Sequence, residues 1–304
     1  MKIPVAIVAA VSGLASAGAA AAQCVAVDPV VVPQVRVDPL DAAGPGEVVQ
    51  PFVLTFRRTG AGSEPVVVRY QIVDEDSNIL ARVGATQGPV VEWTSSDSSR
   101  DIGAFRSDAY ILLRTGTARL DEDDAAVQRQ VALRLTDLRA DLSAGVYREQ
   151  FTVRYWCGEA DAGLPFESAG VVSVSVAVPN VLSANIAGAS VRGEIDFMDF
   201  AMRTRSLMVS VRSTGPYRVT ARSLNGGVML REGAGAAPGP ADRIEYQATF
   251  DGQPLDLAAG SSQGAQRAGL VGRMIPLEVQ VDGVERNRAG VYADTLFVTL
   301  APAN

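Results

Sequence analysis

The sequence predicts an all-β protein of two tandem immunoglobulin-like β-sandwich domains, the second lacking its final strand. Three observations carry this reading. Apolar and polar residues alternate with period two over many short stretches, which is the signature of half-buried antiparallel strands. Gly, Pro, Asn and Asp punctuate those stretches, and few long helical patterns occur. One strand is written twice, as "AGVYREQFTV" from Ala144 to Val153 and as "AGVYADTLFV" from Ala289 to Val298.

In the first copy Tyr147, Phe151, Val153 and Tyr155 fall on one side, against Arg148, Gln150, Thr152 and Arg154. In the second, Tyr292, Leu296, Val298 and Leu300 take the inward places. Other pieces repeat in the same order. "LTFRRTG" (Leu54 to Gly60) matches "VSVRSTG" (Val209 to Gly215), "RYQI" at Arg69 matches "EYQA" at Glu245, and "VALRL" at Val131 matches "IPLEV" at Ile275. Their spacing is not constant, so two related β domains with different loop insertions fit better than a solenoid of fixed period. "LDEDDAAVQRQVALRL" has ambiguous periodicity; its start reads as a solvated loop and its end as a strand.

The domain boundaries follow. Residues 1–22 carry Lys2, an apolar run from Ile3 and the small-residue cleavage site Ala20, Ala21, Ala22, the pattern of a secretory signal peptide. Cleavage there leaves Gln23 and Cys24 first, and Gln before Cys24 argues against lipidation. No later segment approaches the ~20 apolar residues that span a bilayer. Residues 23–180 form the first sandwich, 181–188 a linker in "VPNVLSANIAG", and 189–304 the second sandwich. "VVSVSVAV" (Val171 to Val178) gives the first sandwich one strand beyond the repeat, whereas only "APAN" follows the same point in the second. An incomplete sandwich presents an apolar groove and a row of unpaired backbone groups, which invites a strand from a partner.

Composition excludes several chemistries. The net charge is −7 with no Lys/Arg cluster, so a nucleic-acid footprint is missing. The chain has no histidine, which removes the commonest general base, the commonest transition-metal ligand and any Ser-His-Asp site. No phosphate loop, zinc spacing or nucleophile elbow is present. Paired carboxylates for glycoside cleavage need only a separation in space, which sequence does not show. The runs Asp74 to Asp76 and Asp121 to Asp124 lack the ligand spacing and glycine of a calcium loop and read as solvated turns. The reading is a non-enzyme with no cofactor and no metal. Cys24 and Cys157 are the only cysteines, and an isolated pair in an oxidising compartment more often bridges than stays free.

Taken in order, "VSVRSTGPYRVTARSLNGGVMLRE", "IEYQATFDGQPLDL", "IPLEVQV" and "AGVYADTLFVTL", with "VDPLDAAG" near the start, resemble the spore coat protein U-like domain of archaic chaperone-usher pili. The resemblance covers roughly the last hundred residues well and is patchy before them, with no match from Val83 to Gln130. It implies a disulfide from the first strand to a late one, matching Cys24 with Cys157, and the second domain departs from the family in having no cysteine. It also implies export through the periplasm to the cell surface, a periplasmic pilus chaperone, an outer-membrane usher and an adjacent subunit that donates a strand. A subunit whose own first strand is tied down can accept a strand but not give one, which implies a two-domain tip adhesin that mediates attachment. The alternative is a secreted or periplasmic carbohydrate-binding β-sandwich protein.

The expected sites are an acceptor groove edged by Leu296, Val298 and Leu300 with Tyr292 at its mouth, and a distal contact loop with Leu164, Pro165 and Phe166. For Phe166 the other reading is a side chain folded back to cap the core. Trp93 and "AYILL" (Ala109 to Leu113) are further contact candidates, against ordinary core strands.

Overall fold

The computed structural model describes residues 23–40, 47–62, 64–74, 82–84, 88–95, 98–104, 115–136, 138, 142–158, 165–188 and 191–303. The expected signal segment, Leu164, "AYILL", Glu75 and Asp76 lie outside them.

Among the described residues, twelve strands build the first sandwich: β1 (Val25–Val27), β2 (Val30–Val31), β3 (Val35–Arg36), β4 (Val48–Arg58), β5 (Val66–Val73), β6 (Val90–Ser95), β7 (Ser98–Asp101), β8 (Gly103–Ala104), β9 (Gly116–Leu120), β10 (Ala126–Thr136), β11 (Gly145–Cys157) and β12 (Phe166–Val178). One sheet runs β1-β4-β10-β6-β7 and the other β2-β12-β11-β5-β8, with β3 on β12 and β9 on β5. The first strand therefore changes sheets. β1 pairs antiparallel with β4, and β2 and β3, with Pro33 between them, pair parallel with β12. Both edges of β12 are thereby filled.

The alternation read from sequence is what buries this core. Leu54 and Phe56, Tyr70 and Ile72, Leu133 and Leu135, and Phe151, Val153 and Tyr155 have almost no exposure. Trp93 is a core residue, edge-on to Phe52 at 5.7 Å and to Phe151 at 5.0 Å between ring centroids. Asp121 to Ala125 form the turn before β10, with Asp121 N–H donating to Asp124 Oδ2 at 2.9 Å. No cluster of carboxylate or cysteine side chains among the described residues could hold a metal.

The second sandwich follows with β13 (Leu182–Ile186), β14 (Thr204–Ser213), β15 (Tyr217–Ser223), β16 (Val228–Arg231), β17 (Arg243–Phe250), β18 (Gln253–Pro254), β19 (Ser262–Ala265), β20 (Gly269–Val281), β21 (Tyr292–Ala293) and β22 (Leu296–Pro302). Its sheets run β13-β14-β20-β17-β16-β21, with β18 on β17, and β19-β15-β22. The segment expected as a linker is a correction: Leu182–Ile186 is strand, paired along its length with Ser213 to Val209 of β14. The connection is only Pro179 to Val181.

A second correction concerns the repeat. β4 and β14, β10 and β20, and β11 and β22 occupy matching places, but Tyr70 and Tyr246 do not. Tyr70 lies on β5, beside β11 in the second sheet, whereas Tyr246 lies on β17, beside β20 in the other sheet. The partner of β5 is β15, which flanks β22 as β5 flanks β11. With that pairing the spacing after Gly60 and Gly215 becomes similar, and much of the uneven spacing disappears.

Thr214, fully buried, locks the two sandwiches together. Its N–H donates to Val181 O (3.1 Å), its hydroxyl donates to Pro179 O (2.7 Å) and accepts from Val181 N (2.9 Å), and its carbonyl accepts from Ala144 N of the first sandwich (2.8 Å). Gly215 stands against Asn180; a Cβ there would meet Asn180 Oδ1 at 2.7 Å.

Candidate functional site

Leu296, Val298 and Leu300 alternate inward on β22, and the structure puts them on one row with a single strand neighbour. β22 pairs with β15 from Leu296↔Ser223 to Pro302↔Tyr217, and among the described residues its other edge has no strand partner. β13 likewise pairs only with β14. Leu182 and Ala184 of β13 and the three β22 residues pack against the core containing Val211, Tyr217, Val219 and Ile275, yet all five remain half-buried.

The matching strand in the first sandwich shows what is different. There Phe151, Val153 and Tyr155 are fully buried, and Val172, Ser168 and Phe166 of β12 stand opposite them. The second sandwich has the floor of this arrangement without its covering strand. Among the described residues, β13 and β22 each present one strand edge without a strand partner, next to a half-buried apolar row. Completing the burial of a half-covered Leu or Val stabilises by about 1 kcal/mol per residue.

β22 is held in place at both ends. Near Leu296, the Asp294 carboxylate accepts hydrogen bonds from Ser223 Oγ, from Asn225 Nδ2 (2.9 Å) and from Tyr246 Oη (2.7 Å). Burial, and after it the Asp294 carboxylate, push the Tyr246 hydroxyl well above the ordinary tyrosine range. At the far end Asn180 Nδ2 donates to Pro216 O (3.0 Å) and Ala303 O (2.6 Å). These contacts explain how an edge strand with a half-exposed inner row keeps its register.

Tyr292 is not at the mouth of the groove. It lies on β21, which pairs with β16 through Arg231↔Tyr292. Its hydroxyl stands 2.7 Å from Arg288 O and 2.9 Å from Ala241 O, and its one proton serves one carbonyl at a time. Sequence reasoning also missed Asp294, although a carboxylate placed between an inward Tyr and an inward Leu is a break in the alternation.

At the opposite pole of the first sandwich, Cys24 and Cys157 form a disulfide with Cα atoms 6.1 Å apart. Phe166 belongs to β12, not to a loop, and stacks on Tyr155 with ring centroids 5.5 Å apart. It is the capping residue of the two readings. Pro165 is half-buried just before it. Beside this pair Arg154 holds Glu167 through Nε (3.1 Å) and Nη2 (3.0 Å). β12 descends from here to the junction, about 40 Å at about 3.3 Å per residue.

No family model and no curated protein matches the chain. Among solved structures it is similar to a chain of the CsuC-CsuE chaperone-tip adhesion subunit pre-assembly complex from archaic chaperone-usher Csu pili of Acinetobacter baumannii, at 14% identity over 90% of this chain and 99% of that one, TM-score 0.42. It is also similar to the CupB6 tip adhesin from Pseudomonas aeruginosa, at 13% identity over 92% and 94%, TM-score 0.42. A third likeness is to CfaE, the adhesive subunit of CFA/I fimbria of enterotoxigenic Escherichia coli, at 10% identity over 91% and 94%, TM-score 0.46. At these identities and TM-scores the likenesses carry no functional argument.

Proposed function

We propose that this protein is a subunit of a chaperone-usher surface pilus, its tip adhesin, assembled by donor-strand complementation. The observation that carries the reading is the half-buried row Leu296, Val298, Leu300 between two unpaired strand edges, where the first sandwich has a covered one. An apolar edge of this kind favours a partner strand that supplies main-chain hydrogen bonds and fills the floor with alternate side chains. A periplasmic chaperone lends that strand first, and an adjacent subunit replaces it at an outer-membrane usher.

The first sandwich supports the tip position. Its opening strand is committed twice over, bridged by Cys24 to β11 and paired with β4 and β12. Among the described residues, this opening strand is committed within its own sandwich. The first sandwich then faces outward as the attachment domain, and its far pole carries the contact surface, with Leu164 and Pro165 as candidate residues.

Purification of the full chain from periplasm, followed by mass spectrometry of its companions, tests the reading. The expected result is a one-to-one complex with a two-domain immunoglobulin-like chaperone. A lone, monodisperse chain with β13 and β22 amides protected from hydrogen exchange would sink it, since the groove would then already be closed. Immunogold labelling tests the position: label at fibre ends is expected, and label along the shaft would remove the tip assignment.

A further inference from the structure

The groove does not stop inside the second sandwich. At its junction end lies a cleft of about 600 Å³ bounded by Asp38 and Leu40 of the first sandwich, by Asn180, Leu182 and Ser183, and by Pro302 at the end of β22. Neither sandwich makes this cleft alone. Asp38 and Leu40 reach it because β3 runs parallel to β12 down to the junction, where Val37 N–H donates to Ala177 O at 3.0 Å. The chain then turns at Pro39, with Leu40 N–H donating to Asp38 Oδ1 at 3.0 Å. Asp38 is exposed, Leu40 is half-buried, and the second Asp38 oxygen has no hydrogen bond among the described residues.

The first sandwich also fixes the direction of a strand laid in the groove. There β12 runs antiparallel to β11 and parallel to β2 and β3. β22 stands where β11 stands, and β13 opens its sandwich as β1 does. A strand laid in the same sense runs antiparallel to β22 and parallel to β13. Its N-terminal end then lies beside Pro302 and Leu182, over the cleft.

Resting on the donor-strand reading above, we infer that this interdomain cleft receives the N-terminal end of the complementing strand, with an apolar residue against Leu40 and Leu182 and a cationic group on Asp38. The cation is a lysine, an arginine or a free amino terminus. Asp38 then selects among strands by charge, which the uncharged groove floor cannot do. The strand also touches both sandwiches, so filling the groove adds a further tie across the junction that Thr214 already holds.

Peptide binding to the full chain tests this by fluorescence anisotropy. The probes are a C-terminally labelled strand of alternating Val and Thr preceded by Lys-Leu with a free amino terminus, the same strand with an acetylated Glu-Leu start, and the strand without the leading pair. D38N is expected to weaken the Lys-Leu peptide about threefold to fivefold, the size of a solvent-exposed ion pair, and to improve the Glu-Leu peptide. L40S is expected to weaken both extended peptides and leave the truncated one unchanged. Equal affinity of wild type, D38N and L40S for all three peptides would overturn the cleft assignment while the groove stands. No binding of any peptide, the truncated one included, would overturn the groove itself and the cleft with it.

Discussion

The hydroxyl of Tyr292 lies 2.7 Å from the carbonyl of Arg288, and that of Tyr147 lies 2.8 Å from the carbonyl of Ser143, the same step of four residues back. Between each pair sits a glycine, Gly145 at φ 154° and Gly290 at φ 156°, a conformation that a side chain would strain. This is the tyrosine corner of immunoglobulin-like sandwiches, made twice. Replacing either Tyr by Phe should destabilise its own sandwich by about 1 kcal/mol. Domain-resolved hydrogen exchange would show it; a loss spread over both sandwiches would mean the corners are not local devices.

Asp294 gathers Ser223, Asn225 and Tyr246 around the start of β22. Asp294→Ala leaves three donors without their acceptor and should cost about 2–3 kcal/mol. It should also free β22 to slip on β15. Faster amide exchange at Val298 and Leu300 than at Val219 is the expected sign, and uniform exchange would count against a register role.

The disulfide closes a loop with a sequence separation of 133. Replacing Cys24 and Cys157 with Ser should destabilise the first sandwich by about 4–5 kcal/mol on chain-entropy grounds. The second sandwich should keep its stability. Urea unfolding followed separately in each sandwich checks this.

Asp242 accepts from Arg231 Nε at 2.6 Å, and that bond, with Arg288 nearby, holds its carboxyl below the ordinary aspartate range. A folded-state pKa below the unfolded value of about 3.9 means stability that is present above about pH 4 and is lost as pH falls through the lower value. The wild-type urea midpoint should therefore drop more between pH 5 and pH 3 than that of Asp242→Asn. Equal drops would take Asp242 out of the acid response.

Phe166→Ser should destabilise the first sandwich by about 1–2 kcal/mol, because Phe166 stacks on Tyr155 and packs on the core. It is not a clean probe of attachment. If its thermal midpoint matches the wild type, Phe166 is a surface residue after all.

Most strands were legible because they write their burial in steps of two, although β5 and β11 end in continuous buried runs that take in Gln71, Thr152 and Arg154. What those steps cannot carry is the partner. Tyr70 and Tyr246 sit in the same Tyr-Gln context with the same alternation, and only hydrogen bonding shows that they belong to different sheets. Leu182–Ile186 also alternates, but its inward residues are small or half-exposed beside the open groove, so it resembled a connection. Tyr292 was placed with Leu296 because its counterpart Tyr147 shares a continuous strand with Phe151. In the second copy Asp294 and Thr295 separate β21 from β22 and send them to different sheets.

Cys24 and Cys157 sit at the pole farthest from the junction and tie the start of the first strand, in one sheet, to the end of β11, in the other. A pull applied at that pole meets a covalent bond between the two sheets, so they cannot be peeled apart from that end. The load passes instead down the long axis of β11 and β12, where the rungs share it in shear and yield together.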